Sequence, residues 1–97
     1  EAHREIFRRC MMALLDTDIV VANLDGTQVD DGTAWEIGFF FRNKSENSKI
    51  IGIRTDFRSA GDFSHSVVNL MIECSCDHVV RSAEELMKVL GGVLVGR

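Results

Sequence analysis

The spacing of apolar residues at the start of the chain changes from a helical period to a continuous run. The helical part places four apolar side chains four residues apart: Ala2, Ile6, Cys10 and Leu14. This stripe predicts an amphipathic helix over the first fifteen residues. The next run, Ile19 to Leu24, is rich in β-branched and apolar residues on both faces. It predicts a strand over 18–24 inside a parallel sheet, because such strands are covered by helices on each side.

A turn and a second helix are predicted after this strand. Asp25-Gly26 is a common turn dipeptide and is expected to end the strand. The pattern then predicts a helix that begins near Gly32-Thr33 and ends in the polar run 43–49. We expect four of its residues to face the sheet: Ala34, Ile37, Gly38 and Phe41.

The second half of the chain repeats the alternation of strand and helix. The run Ile50 to Ile53 predicts a second buried strand, and the polar stretch 55–63 predicts a loop. A third helix around 64–73 and a short strand around 78–80 follow. Ser82, with Glu85 three residues later, is spaced as a capping box and marks the start of a last helix.

This order of elements is typical of an α/β fold with an open parallel sheet and flanking helices. We predict one domain over residues 1–97. A sheet of three parallel strands is small and the chain opens on a helix, so we expect N-terminal strand(s) of the fold to lie outside this numbering. Strand 18–24 should run parallel to strand 50–54. Its other edge should pair with a neighbouring chain or with that N-terminal region, because a bare edge beside apolar surface invites aggregation.

Size and charge narrow the classes of function. A chain of 97 residues builds one small core, so we expect an oligomer. The net charge is −4 and the Lys and Arg residues are scattered, which excludes the basic stripe of a nucleic-acid-binding protein. The short apolar runs and the charged first nine residues exclude a membrane span and a signal peptide, and we expect a cytoplasmic protein.

The cysteines do not predict a disulfide or a metal centre. The chain has three of them, and a bridge between Cys74 and Cys76 would be strained, so reduced thiols are expected. Cys74, Cys76 and His78 lack the spacing and the fourth ligand of a zinc site. We predict no metal and no cofactor.

Four carboxylates follow the first predicted strand within twelve residues: Asp25, Asp30, Asp31 and Glu36. Ligands of open parallel sheets bind beyond the carboxyl ends of the strands, and crowded like charges need a partner, so this segment is a candidate site. A structural alternative stays open. Asp30 or Asp31 could stabilise the N-terminus of the second helix, and Thr33 with Glu36 has the spacing of a capping box.

Residues 30–38, with the sequence DDGTAWEIG, resemble the signature of nucleoside 2-deoxyribosyltransferases. In that signature an acidic and a small residue precede Gly-Thr-Ala-x-Glu-x-Gly. Residues 18–26 are similar to the family's third strand, and weaker matches lie at 55–58 and 69–71. The resemblance spans residues 18 to about 90 in the order that the family shows.

The resemblance implies a flavodoxin-like fold and an enzyme that cleaves the N-glycosidic bond of 2-deoxynucleosides. Glu36 would attack the anomeric carbon, and the covalent glycosyl-enzyme would pass the sugar to another nucleobase or to water. Asp30 matches the carboxylate that holds the sugar hydroxyls. A carboxylate there repels a phosphate, which favours nucleosides over 5′-monophosphates.

The resemblance also implies a site shared between subunits. Asn69 and Met71 match residues that reach into a neighbouring subunit's site, which requires a homo-oligomer. Asp25 and Gly32 lie in the matched segments and are expected to contact the substrate as well. The family often has an aspartate that contacts the leaving base eight residues before the third strand, and here that position is Cys10.

Two rival readings remain beside the enzyme. The chain could be a nucleoside- or nucleotide-binding module that kept the fold and lost the chemistry, which Cys10 would explain. It could also be a structural or interaction domain in which Glu36 only caps a helix. Product formation separates the enzyme from the binding module, and stabilisation by a deoxynucleoside separates both from the interaction domain.

Overall fold

The computed structural model describes residues 1–56 and 67–96 and alternates helices with strands. The elements are α1 (Ala2–Leu15), β1 (Ile19–Asn23), α2 (Asp31–Asn43), β2 (Lys49–Ile53), α3 (Leu70–Glu73), β3 (His78–Val80) and α4 (Ala83–Val95). The predicted α/β class is confirmed, with each described element close to its expected place. Residues 57–66, which include most of the predicted loop and the first part of the predicted third helix, lie outside the described residues.

The sheet is parallel and has the strand order β1-β2-β3. In the register of the first pair, Val21 lies opposite Ile51, and in the second pair Ile51 lies opposite His78. The prediction that strands 18–24 and 50–54 run parallel is therefore confirmed. Within the described residues β1 is an outer strand, and the pairing of its other edge with another segment or chain stays a prediction.

The core lies between the sheet and one face of α2. Ile37 and Phe40 are buried there against Ala22, Leu24 and Ile50. The predicted inner face of this helix was partly wrong: Phe41 is half exposed and Gly38 is exposed. Ile37 and Phe40, three residues apart, share the side that meets the sheet, and Gly38 and Phe41 each lie about 100° further round the helix.

Side-chain caps set the starts of the last two helices. Asn69 accepts a hydrogen bond from the Met71 backbone N–H (2.8 Å) and caps α3, which begins at Leu70. Ser82 accepts one from the Glu85 N–H (3.1 Å), which confirms the predicted cap of α4. The described residues 67–69 form no helix, and α3 has a single turn.

Helix α1 lies at the margin of the molecule. Its predicted helical stripe is present, but none of its residues is buried, and only Leu14 of the stripe packs against the core. Ile6 and Phe7 are more than half exposed. In the described part of the chain, no helix combines the length and the apolar character needed to cross a membrane.

Candidate active site

A sharp turn leads away from the carboxyl end of β1. The Asn23 side chain accepts a hydrogen bond from the Asp25 N–H (2.9 Å), and Gly26 follows with a φ of +117°. Glycine adopts this conformation readily because it has no Cβ. The predicted turn at Asp25-Gly26 is confirmed, and it directs residues 27–30 toward the start of α2.

Asp25 joins the ends of β1 and β2. Its Oδ1 accepts hydrogen bonds from the backbone N–H groups of Thr55 (2.7 Å) and Asp56 (2.9 Å), and its Oδ2 accepts one from the Thr55 hydroxyl (2.6 Å). The bond from the Thr55 side chain, followed by that from the Asp56 backbone, lowers the pKa of the Asp25 carboxyl. Asp25 thus brings the two strand ends together. Its expected contact with the substrate stays a prediction.

Arg54 also stabilises this turn, and its role was not predicted from the sequence. It follows β2 directly, and its guanidinium is fully buried. The guanidinium donates hydrogen bonds to the backbone carbonyls of Leu24 and Gly26, the latter at 2.9 Å. A charged residue that directly follows a buried strand was the one signal in the sequence that pointed to this role. Asp25 and Arg54 together fix the geometry of the loop that leads to α2.

Asp30 caps helix α2. Its Oδ2 accepts hydrogen bonds from the Thr33 N–H (3.0 Å) and the Thr33 hydroxyl (3.3 Å). A Cβ at Gly32 would lie 3.2 Å from that same oxygen. Glycine at position 32 therefore leaves room for the carboxylate in its capping position, which gives the residue a structural reason independent of any ligand.

The capping-box alternative for Glu36 is wrong. The helix N-cap is Asp30, so the third helical residue, which would close a capping box, is Thr33. Glu36 lies nearly one turn further along α2. It is partly exposed, and its carboxylate forms no hydrogen bond with the described residues. The helix start is therefore complete without Glu36.

Glu36 lines two cavities. One, of about 240 Å³, lies along β1 and includes residues 20–23 and Thr33. The other, of about 310 Å³, lies between α1 and α2 and includes Phe7, Met11 and Trp35. The Phe7 and Trp35 rings meet edge to face, with centroids 5.6 Å apart. Glu36 thus lies between a cavity that includes the polar end of β1 and a cavity that has aromatic side chains in its wall.

Asn69 and Met71 lie apart from these cavities. The two cavities that Glu36 lines include neither residue. Asn69 is exposed at the start of α3, a helix that packs against α2, and Met71 is 71% exposed. The structure therefore places Asp30 at the N-cap of α2 and Gly32 and Glu36 within that helix, whereas Asn69 and Met71 line neither cavity.

The cysteines are free thiols. Burial, with the neighbouring Asp77 charge as a second cause, raises the pKa of Cys76 to about 11, so it is a packing residue at neutral pH. Cys10 belongs to the wall of the apolar cavity beside Glu36. Within residues 1–56 and 67–96, no group of three or more His, Cys, Asp or Glu side chains is arranged to hold a metal ion.

The chain matches the model of a known family. The family model described as nucleoside 2-deoxyribosyltransferase matches residues 1–71, which is most of the chain and includes Asp25, Asp30 and Glu36. No curated protein matches the chain. The family match begins at α1, so it extends beyond the signature to the helix that forms one wall of the apolar cavity.

Proposed function

The chain belongs to the nucleoside 2-deoxyribosyltransferase family, and we propose that it cleaves the N-glycosidic bond of 2-deoxynucleosides through a covalent bond to Glu36. The sugar then passes to another nucleobase or to water. The observation that carries this proposal is the position of Glu36, a carboxylate with no capping role at the junction of two cavities of different chemistry.

The surroundings of Glu36 suit a nucleophile. Its carboxylate forms no hydrogen bond with the described residues, so its oxygens can approach a carbon atom without first breaking an internal contact. Asp25 and Arg54 fix the loop before α2, and the Asp30 cap fixes the first turn of the helix that carries Glu36. A reacting group held on a rigid element keeps its geometry through two displacement steps.

Asp30 is proposed to bind the sugar. Both of its hydrogen bonds to Thr33 end on Oδ2. The other carboxylate oxygen is then the one to accept a sugar hydroxyl. A phosphate at the same place would be repelled, which supports nucleosides over 5′-monophosphates as substrates. Asp25 and Gly32 would act on the substrate through the loop and helix start that they shape.

The reaction would follow the retaining logic of two displacements on one face of the sugar. In the first step a Glu36 oxygen bonds to the anomeric carbon as the bond to the base breaks. In the second step a base or a water molecule attacks that carbon and releases the carboxylate. The absence of a 2-hydroxyl helps both steps, because the cation-like transition state forms more easily.

Incubation with deoxyinosine and free adenine tests the proposal. Formation of deoxyadenosine would demonstrate transfer, and deoxyribose with hypoxanthine would demonstrate hydrolysis. Formation of neither product, with a protein that a thermal melt shows to be folded, would contradict both reactions. The same assay with inosine is the control, and the 2-hydroxyl should slow it strongly.

We also propose that the site is completed between subunits of a homo-oligomer. Met71 is exposed, and neither Asn69 nor Met71 lines a cavity beside Glu36 of its own chain, which is what such sharing requires. A mixture of Glu36→Ala and Asn69→Ala chains should regain activity through heteromers that carry one intact site. A monomer in sedimentation that is nevertheless active would rule the sharing out.

A binding module without chemistry is the second candidate, and Cys10 favours it. This thiol stands in the wall of the apolar cavity, where a stronger proton donor would assist a leaving base. On this reading deoxynucleosides raise the melting temperature, but no product forms during long incubation. Product formation that is lost in Glu36→Gln would exclude it.

A further inference from the structure

The two cavities beside Glu36 differ in chemistry, and on the proposed function this difference selects among nucleosides. The cavity between α1 and α2 has aromatic and thioether walls from Phe7, Met11 and Trp35. The cavity along β1 offers the polar groups of Asn23 and Thr33. A flat base ring favours the first surface and sugar hydroxyls favour the second, with the anomeric carbon between them at Glu36.

A base that leaves from the apolar cavity has little help from a proton donor. When the bond from the anomeric carbon to N9 of a purine breaks, its electron pair moves to the base. A neutral base then departs as an anion unless an acid protonates it, and a general acid typically contributes about 10²–10⁴-fold. Among the described residues of this wall, Cys10 is the one side chain besides Glu36 with a dissociable proton, and a thiol is a weak donor.

The same cavity is suited to a cationic ring. Its described lining contains no Lys or Arg, and the charged residue within it is Glu36. Trp35 stacks on Phe39 (ring centroids 5.3 Å apart) but is 48% exposed, and the exposed part of its ring attracts a cation that lies over it. We infer that the preferred substrates are 2-deoxynucleosides whose purine already carries a positive charge, such as a purine alkylated at N7.

The chemistry balances without a proton donor for such a substrate. A Glu36 oxygen forms a bond to the anomeric carbon, the bond to N9 breaks, and its electron pair cancels the positive charge of the imidazole ring. The alkylated purine leaves neutral. Water then attacks the anomeric carbon, the bond to Glu36 breaks with its electron pair returning to the carboxylate, and the proton of the water passes to solvent.

The kinetic test compares 7-methyl-2′-deoxyguanosine with 2′-deoxyguanosine on the full chain. We expect kcat/KM to be more than about 100-fold higher for the methylated substrate. The Cys10→Asp substitution places an acid in the cavity wall and should speed cleavage of the neutral substrate. The ratio of the two kcat/KM values, methylated over neutral, should then fall at least tenfold. In Cys10→Asn the new side chain has the shape of aspartate without the acidic proton, and the ratio should not change. Met12→Asp places the acid on the exposed side of α1 and is the matched control.

Three results decide between the possibilities. Similar kcat/KM values for the two substrates in the wild-type protein would overturn the preference and would mean that a donor outside this wall reaches the base. A folded Cys10→Asp protein with an unchanged ratio would also overturn it. Turnover of neither substrate would overturn the proposed function, and the substrate preference with it.

A binding measurement provides a second test that needs no turnover. Trp35 is the single tryptophan of the chain and lines the cavity, so its fluorescence reports occupancy. In Glu36→Gln, both nucleosides should quench this fluorescence, and 7-methyl-2′-deoxyguanosine should bind several-fold more tightly because of the aromatic walls. Equal affinities, or quenching by neither compound, would contradict the assignment of the cavity to a cationic base.

Discussion

Strand β2 and helix α1 are both rich in apolar residues, yet they are packed very differently. In β2, Ile50 and Ile51 are fully buried, and Gly52 is so close to Leu24 that a Cβ would lie 2.6 Å from its Cδ1. In α1 no residue is buried, and Ile6 is 62% exposed. The stability of the fold therefore depends mainly on the middle strand of the sheet. The loose packing of α1 leaves room for the cavity between α1 and α2 that Glu36 lines.

The difference follows from the neighbours of each element. β2 lies between two parallel strands, with α2 packed over the sheet and α4 in contact with β2 and β3. α1 packs mainly against α2, through the Phe7 and Trp35 rings. If this division is correct, substitutions at the margin should change activity with little effect on stability, and substitutions in the middle should do the reverse.

The largest effect is expected at Glu36, which lies on α2 and lines the cavity between α2 and α1. Glu36→Gln should lower kcat/KM for deoxynucleosides more than about a thousandfold, because the nucleophile is lost. Its free energy of unfolding should change by no more than about 0.5 kcal/mol, since the carboxylate has no hydrogen bond to a described residue. Glu46→Gln, in the exposed loop before β2, is the matched control and should keep full activity. A Glu36→Gln protein with more than a tenth of the wild-type rate, a barrier change below about 1.4 kcal/mol, would assign the role elsewhere.

The next largest effect is on stability and belongs to β2. Ile51→Ala should cost about 2–5 kcal/mol in denaturant unfolding, because it leaves a cavity in a fully buried position. Ile6→Ala, the same change in the exposed part of α1, should cost no more than about 0.5 kcal/mol. A comparable loss at both positions would show that α1 is covered in solution by another chain, and the contrast between the two regions would disappear.

A pH-dependent effect on stability is expected at Asp25, which joins the ends of β1 and β2. Its pKa is lowered in the folded protein, so the charged form stabilises the fold above the ordinary carboxyl pKa of about 3.9, and this stabilisation is lost as the pH falls through the lower folded value. Asp25→Asn should therefore have a lower free energy of unfolding than the wild type at pH 7. This difference between the two proteins should disappear at acidic pH.

Thr55→Val removes the hydroxyl donor to Asp25 and should reproduce part of this pH dependence. Chemical unfolding of the three proteins between pH 7 and pH 2 measures it. A gap for Asp25→Asn that stays constant down to pH 2 would mean that the charge of Asp25 has no part in holding the two strand ends together.

The smallest effects are expected from two glycines of α2. Gly38→Ala has open space and should stabilise the protein by about 0.5–1 kcal/mol without changing kcat/KM. Gly32→Ala should increase stability less, because its Cβ would crowd the Asp30 carboxylate. The same crowding should raise KM several-fold. Calorimetry with steady-state kinetics compares them. Identical behaviour of the two variants would separate Asp30 from substrate binding.

The sequence predicted the position of β2 and the start of α4 better than it predicted which face of α2 is buried. The continuous apolar run of β2 and the Ser82 cap each permit few alternatives, and both are confirmed. The inner face of α2 was misassigned because Phe39, Phe40 and Phe41 are consecutive. Each ring lies about 100° from the next around the helix, and the spacing of apolar residues alone did not decide that Phe40 is the one that meets the sheet.

The sequence predicted candidate residues for the site but not the contacts that hold them in place. The signature in α2 marked Asp30 and Glu36, and spacing alone left open whether Glu36 caps the helix. The Asp30 cap excluded that role. Sequence spacing did not predict that Asp25 bonds to Thr55, or that Arg54 is buried beneath the same turn, since these contacts join residues about 30 positions apart through the strand register.

The covalent intermediate on Glu36 is the central claim, and mass spectrometry of the acid-quenched reaction tests it most directly. Protein mixed with deoxyinosine and quenched within the first turnover should gain the mass of one deoxyribosyl group, located on the peptide that contains Glu36. Glu36→Gln should show no adduct. An adduct on another residue, or hypoxanthine release with no adduct at any quench time, would contradict the account.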